Sequence, residues 1–490
     1  MKKGIFLFII FLSLANKSFS QVYTWAAKDS LYSEQGLSLA KDKSGNLFVA
    51  TLFYRGMNLS KYDRGHHLLW EKQIRAVGID DFDAGLCTDS HGSIYITSQF
   101  GSYLILDSVQ LIWQGGGNMF LLKLDSLGNF QWLTHTTGSK AWGMSLSSDA
   151  QDNIYVAGRI AGTVCFDTTC FSGAPIYTYV AKYNSNGNLK WVRGLTPGSH
   201  PRIKTDPSGN TYITGHFNNS AIFGNDTLKK YGTYGFDDIY LAKIDSSGNW
   251  LWARRAGGIY QDNAHNLDLD SSGNIYVIGF FDSPTAAFGT YTLTNLSNDD
   301  YFVAKYDSSG NVTWVIRGWK DGYSRAFCVD KQGNSYLRTS SKFIYKYDTN
   351  GNYQWSDPKS AGNIAMIADD SGSVYVTGVY IDSIDFGNNW LISDYPGYNQ
   401  SFVAKLEFPA PTISISEIKK SDALSVYPNP SYSSITICCS LPEEKTGLML
   451  RVLSSLGELV HSESIKNMTG TFTKQLDVGT LPKGIYFVEL

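Results

Sequence analysis

The chain has 490 residues, of which 14% are aromatic and 17% charged, with 47 glycines, 31 tyrosines and a net charge of −3. A chain with no basic excess lacks the electropositive face that nucleic acid requires, so a nucleic-acid binder is excluded. Six cysteines are few for a chain of this length, and none of their spacings is that of a zinc site.

Residues 1–20 read as a signal peptide. Lys2 and Lys3 form the basic start, Ile5 to Ala15 the apolar run, and Ser18 and Ser20 the small residues before a cut at Gln21. The apolar run is short for a membrane span, and no later stretch is longer. The mature chain is therefore expected to carry no transmembrane segment, and with no cysteine near the cut, no lipid anchor. The next segment, VYTWAA at 22–27, is an aromatic strand with no partner nearby.

From residue 42 onward two units alternate. The first opens on Asp42, Asp89, Asp149, Asp206, Asp270, Asp330 and Asp369. It turns at Gly45, Gly92, Asp152, Gly209, Gly273, Gly333 and Gly372, with an aromatic three places later: Phe48, Tyr95, Tyr155, Tyr212, Tyr276, Tyr336 and Tyr375. The second carries Lys61, Lys123, Lys182, Lys243, Lys305, Lys346 and Lys405, then a glycine turn, then Trp70, Trp132, Trp191, Trp252, Trp314 and Trp355. Lys405 has no Trp after it. An Asp-x-x-Gly-Asn run caps backbone amides with its carboxylate and takes positive φ at glycine, so each unit is a short hairpin. Two hairpins per repeat, at turn spacings of 39 to 64 residues, predict seven four-stranded blades of a β-propeller. In the fifth these strands are NLDLD, NIYVIGFF, YFVAKYD and VTWVIRG, and the second is apolar on both faces. The seventh blade owns three strands over 365–407, and the Trp25 strand is expected to supply the fourth, closing the ring.

The G-N-x-Y-V-x-G and F-V-A-K-Y-D strands resemble the SBBP family of seven-bladed β-propeller repeats over roughly residues 22–407. The repeats depart from that pattern at Asp152, at the LRTSS strand of blade six and at a shifted turn at Gly65. The resemblance implies a fold and no particular activity.

Binding is expected on the face opposite the turns. That face carries the long loops 100–118, 159–177, 216–238, 280–300 and 379–400, together with the inter-blade loops. The candidates there are Asp81, Asp83, Trp142, His200, Arg202, Asp262, His265, Trp319 and Arg325, aromatics and charges suited to a glycan or a peptide. A glycan hydrolase or lyase is the alternative, with Asp83 and Asp262 as its carboxylate pair. No G-x-S-x-G, H-E-x-x-H or phosphate loop is present, so no catalytic residue is assigned. The seven lysines are expected to pair with the acidic residue two places on, or to touch the Trp strand. The Asp-x-x-Gly-Asn turns lack the acid count and closing Glu of a calcium loop, so neither metal nor cofactor is expected. Cys165 and Cys170 flank a short loop in blade three. They either pair across it or stay reduced and buried. The adjacent Cys438 and Cys439 are expected on opposite faces of a strand.

Residues 409–421 form a linker, and 422–490 a β-sandwich of alternating strands joined by Gly and Pro turns. Tyr427-Pro428-Asn429-Pro430, the S-L-G-E-L-V run with Gly457, and L-P-K-G-I-Y-F-V with Gly484 and Tyr486 resemble, in that order, the type A C-terminal sorting domain of the type IX secretion system. The resemblance implies export to the medium or the outer cell surface, with that secretion machinery as partner; the loop residues separately suggest an unknown extracellular glycan or protein as ligand. Members of that family continue past the Gly-Ile-Tyr strand, whereas this sequence stops at Leu490.

Overall fold

The Asp-x-x-Gly-Asn runs fold as their residues dictate. At Asp270, one carboxylate oxygen accepts the amides of Ser272 and Asn274, both at 2.9 Å, and the other accepts the Asn274 side-chain amide at 2.7 Å. Gly273 turns with φ +78°. The same bonds recur at Asp206 and Asp330, and at the second-unit turns of Asp245 and Asp307. Asp152 replaces glycine at φ 60°, a conformation aspartate tolerates better than most residues. Its carboxylate accepts the Ser90 amide and hydroxyl of the preceding sheet at 2.7 and 2.8 Å. In the shifted turn, His66 rather than Gly65 takes the left-handed position, at φ 68°.

The computed structural model describes residues 6–8, 22–407 and 425–489. Excepted are 33–34, 54, 77–83, 113–116, 173–176, 196–198, 233–234, 297–299, 319–325, 340–342, 358–361 and 388, and in the tail 429–432, 446–447, 455–458, 466–467, 480 and 482–484. The chain forms two compact units, Gln21–Phe408, and Pro409–Leu490 together with Met1–Ser20. All regular structure among the described residues is β.

Among the described residues, the larger unit holds seven four-stranded antiparallel sheets, six with their strands in sequence order and the seventh completed by a strand from the start of the unit. The first is Gln35–Lys41, Leu47–Phe53, Gly56–Tyr62 and Leu68–Ala76. The innermost strands neighbour one another in chain order, and Gly362–Ala368 of the seventh sheet neighbours Gln35–Lys41 of the first. Val22–Tyr32 is the outer strand of the seventh sheet, paired with Asn399–Glu407 so that Trp25 lies opposite Lys405.

The two sequence columns meet across each sheet. Tyr95, Lys123 and Trp132 lie in one cross-strand row, as do Tyr155, Lys182 and Trp191. Each ammonium sits over its aromatic ring, at 4.9 Å for Lys123 on Tyr95 and 5.0 Å for Lys182 on Tyr155, a contact of about 0.5–2 kcal/mol. Five lysines then reach the following sheet. Lys61, Lys123, Lys182, Lys243 and Lys305 donate to the carbonyls of Ser126, Ser185, Ser246, Ser308 and Thr349 at 2.6–3.4 Å. Trp132, Trp191 and Trp314 donate to the same Ser185, Ser246 and Thr349 carbonyls at 3.0–3.1 Å.

The ion-pair expectation needs correction. Lys123, Lys182 and Lys305 face the first-unit aspartates Asp89, Asp149 and Asp270 at 3.3, 3.8 and 3.7 Å. The acids two places on, such as Asp125 and Asp307, are engaged by their own turn amides. The expected partner is found at Lys405, 2.5 Å from Glu407.

The five long loops also carry regular structure. Each folds into a hairpin that fills the seam with the preceding sheet. Tyr103–Leu106 pairs with Leu68–Ala76, and Thr285–Phe288 with Trp250–Gly257. Each hairpin buries a large side chain just before its turn: Leu106, Phe166, Phe223, Phe288 or Phe386. The residue after it has positive φ: Asp107, Asp167, Gly224, Gly289 and Gly387. Covering an outer edge and its apolar gap is a stronger constraint than loop variability suggests. A disulfide joins Cys165 to Cys170, opposite each other in the hairpin of the third sheet.

In the smaller unit, one sheet runs Phe6–Phe8, Ile485–Glu489, Leu448–Ser454, Leu459–Ile465, and the other Ser425–Tyr427, Ser434–Lys445, Met468–Asp477. Both feed one core through Val426, Ile437, Leu450, Val452, Tyr486 and Val488. Tyr427 is exposed and precedes a cis peptide bond to Pro428. Asn429, Pro430, Gly457 and Gly484 lie outside the described residues.

Candidate functional site

The second strand of each of the third, fourth and fifth sheets carries a glycine beside the inner strand. A Cβ on Gly158 would meet the Trp142 carbonyl at 1.8 Å, on Gly215 the Ser199 carbonyl at 2.7 Å, and on Gly279 the Asn263 carbonyl at 1.9 Å. Only glycine permits this approach. The inner strands bulge there, between Gly143 and Ser145, Ser199 and Arg202, and Ala264 and Asn266. Bulges re-aim side chains, and here they turn them toward the residue after each glycine. The Arg159 guanidinium lies 5.1 Å from the Trp142 ring centre. His200 stacks on His216 at 5.4 Å and 22°, and His265 sits 5.3 Å from Phe280. Three adjacent sheets thus present a close pair of side chains at one position on the face opposite the turns, a cation over a ring in the third, stacked rings in the fourth and tilted rings in the fifth.

The middle pair is the most constrained. His200 is held at φ 49°, with Nδ1 2.8 Å from the Ser199 hydroxyl. His216 is 7% exposed. Its Nε2 lies 3.6 Å from an Asp237 carboxylate oxygen, and its Nδ1 is buried with no hydrogen-bond partner. Burial, reinforced by the nearby His200, His265 and Arg159, pushes its pKa down to about 3, so the ring is neutral at ordinary pH. Asp237 accepts from Gln261 Nε2 at 2.9 Å, and that amide also reaches the Asn263 side-chain oxygen at 2.8 Å. Burial raises the Asp237 carboxyl above its usual range.

Around this polar floor stand exposed apolar side chains. Phe236, 40% exposed, and Tyr260, 42% exposed, meet edge to face at 5.7 Å. Ile259 and Tyr231 are exposed beside them, with the Arg255 guanidinium 4.4 Å from the Tyr231 ring centre.

Of the residues singled out in the sequence, Trp142, His200 and His265 come together here. Arg202 donates to the carbonyls of Met144 and Pro201 at 3.5 and 3.3 Å. Asp262 is fully buried. Its carboxylate accepts the Gly258 amide at 2.6 Å and the Ser283 hydroxyl at 2.7 Å, which makes it a loop cap rather than a ligand-facing group. Asp83, Trp319 and Arg325 lie outside the described residues. Arg159, His216, Asp237, Phe236, Gln261 and Tyr260 were missed. The signal for Arg159 and His216 was the variable position after the recurring strand glycine. Among the described residues, Asp89, His91 and Asp152 come nearest to a metal-ligand grouping. Their carboxylates are taken by the Ser93 amide, the Tyr95 hydroxyl and Ser90.

Residues 425–490 match the family described as the secretion system C-terminal sorting domain. Among curated proteins, the chain is 27% identical over 319 residues to an uncharacterized WD repeat-containing protein, L264, of Acanthamoeba polyphaga mimivirus, covering 50% of this chain and 23% of that one. It is 28% identical over 145 residues to the regulatory protein FlaEY of Caulobacter vibrioides, covering 28% of this chain and 15% of that one. The chain therefore spans less than a quarter of either relative. Among solved structures it is similar to streptogramin B lyase, at 11% identity and a TM-score of 0.47 over 80% of this chain and 100% of that one. It is also similar to the Dos1 propeller, at 9% identity and a TM-score of 0.42 over 79% and 95%. The consecutive four-stranded meanders are the arrangement of a β-propeller, and the tail carries the sorting domain of type IX secretion, whose cargo is secreted or displayed on the cell surface.

Proposed function

We propose that the exported chain is a non-catalytic glycan-binding module. Its larger unit would be a seven-bladed propeller of the SBBP type, closed by the strand that follows the signal peptide, and its tail a β-sandwich. The observation that carries this reading is the pairing of exposed Phe236 and Tyr260 beside the Asp237–Gln261–Asn263 floor and the His200–His216 stack. Aromatic faces cover the apolar face of a pyranose, and a few fixed amides and carboxylates read its hydroxyls. Nearby, Asp262 spends its carboxylate on loop amides and a hydroxyl, which speaks for binding rather than hydrolysis.

The test is a glycan array together with a polysaccharide-hydrolysis screen on the full exported chain. Binding without turnover is expected, and Tyr260→Ala should weaken it by about tenfold or more. Turnover of any bound polysaccharide would overturn the reading.

A further inference from the structure

Five seams between neighbouring sheets are filled by a hairpin of the chain itself, each burying a large apolar residue just before its turn: Leu106, Phe166, Phe223, Phe288 or Phe386. The seam between the seventh and first sheets is filled differently. The buried Asp29 there binds the Thr51 hydroxyl and the Asn58 amide, and Gln400 donates to its carbonyl at 2.7 Å. Among the described residues, the seam between the fifth and sixth sheets has neither filling. In the sixth sheet only residues 339–343 separate Ser335–Arg338 from Ile344–Tyr347, too few for a clamp hairpin. A cleft of about 420 Å³ opens at that place, lined by Ile316 and Arg317 of the fifth sheet and by Tyr345, Tyr347, Gly351 and Tyr353 of the sixth.

The lining indicates what the cleft takes. Arg317 is bonded to Asp300 at 3.0 Å, and the Tyr347 hydroxyl lies 2.9 Å from that of Tyr301. Beside these engaged groups, the Tyr345, Tyr347 and Tyr353 rings and the Ile316 side chain supply the apolar part of the lining. Tyr353, 55% exposed, stands 6.4 Å from Tyr345 and 6.1 Å from Tyr347, tilted 58° and 71°, an arrangement that receives a further aromatic ring edge to face.

We propose that this cleft is a docking site for a partner protein that presents an aromatic side chain on a short β-hairpin, the kind of occupant the chain supplies to itself at its other seams. A cation would meet the Arg317 charge.

The chain's own clamp serves as the probe: a cyclised synthetic hairpin of residues 283–295, with Phe288 at its tip, titrated into the full chain by calorimetry. Saturable binding is expected, weakened about tenfold or more by Phe288→Ala in the peptide and by Tyr353→Ala in the protein. Tyr353 is exposed, and an unchanged melting temperature would show that its loss leaves the fold intact. Ile316→Trp, which fills the cleft, should abolish binding. Absence of binding overturns the proposal, as does binding indifferent to Phe288 or to Tyr353. If an oligosaccharide titrates in a Tyr353-dependent manner while the hairpin does not, the cleft is a carbohydrate site and the proposal falls.

Discussion

Asp238 and Asp262 converge behind the loops that carry Phe236 and Tyr260, and both approach Gly257. A Cβ there would lie 3.3 Å from one carboxylate and 2.9 Å from the other. Burial raises the Asp238 carboxyl to about 7, with the neighbouring Asp262 charge adding to the shift against the Tyr231 amide and Arg255. Burial raises Asp262 to about 6. A carboxyl whose folded pKa lies above its unfolded value favours folding when protonated. That contribution is complete below about pH 4 and is lost as pH rises through about 6 to 7. Thermal midpoints should therefore fall between pH 5 and pH 8, and Asp238→Asn, neutral throughout, should flatten the fall and raise the midpoint at pH 8. An unchanged pH slope in the variant would show that Asp238 does not titrate in this window.

The turns and strands were legible because their chemistry is local: an aspartate, a glycine and an aromatic at fixed offsets make the same hairpin wherever they recur. The close pairs were half legible. Trp142, His200 and His265 drew notice as loop residues. Their partners Arg159, His216 and Phe280 sit inside strands, and a bulge that brings the two together has no signature in one sequence. The clamp hairpins were missed as elements because the marker, a large apolar residue followed by Asp or Gly, is two residues long and irregularly spaced. The turn glycines carry a sharper constraint. Gly187 has φ +81°, and a Cβ on it would lie 2.9 Å from the Trp132 ring of the preceding sheet. Gly187→Ala should cost about 2 kcal/mol in denaturant unfolding. Gly397, also at positive φ but with nothing within 4 Å, should cost less on the same change. At the third sheet, replacing Cys165 and Cys170 together by serine releases a closed loop of a few residues. The expected loss is about 2 kcal/mol by loop entropy, read as a melting difference that disappears when both proteins are compared under reducing conditions.

For the whole larger unit, stability is shared between neighbours. In the second, third and fifth sheets, lysine and tryptophan converge on a single carbonyl of the next sheet, so these sheets depend on their neighbours. Trp25 extends the pattern to the last seam, stacking on His66 of the first sheet at 4.7 Å and 18°. A chain lacking residues 22–32 should lose its single cooperative melt and associate through the uncovered edge of Asn399–Glu407. A synthetic peptide of residues 22–32 added in trans should restore the melt. If the shortened chain melts as one monomeric transition at the original temperature, the strand is dispensable.

The pairing of Val22–Tyr32 with Asn399–Glu407 also sets a timetable. The first strand of the larger unit is completed by its last, so the fold cannot finish while the ribosome is still working through the repeats between them. Contacts this distant in sequence form late and slowly. A chain that must wait for its own far end stays incompletely folded until both strands are present together.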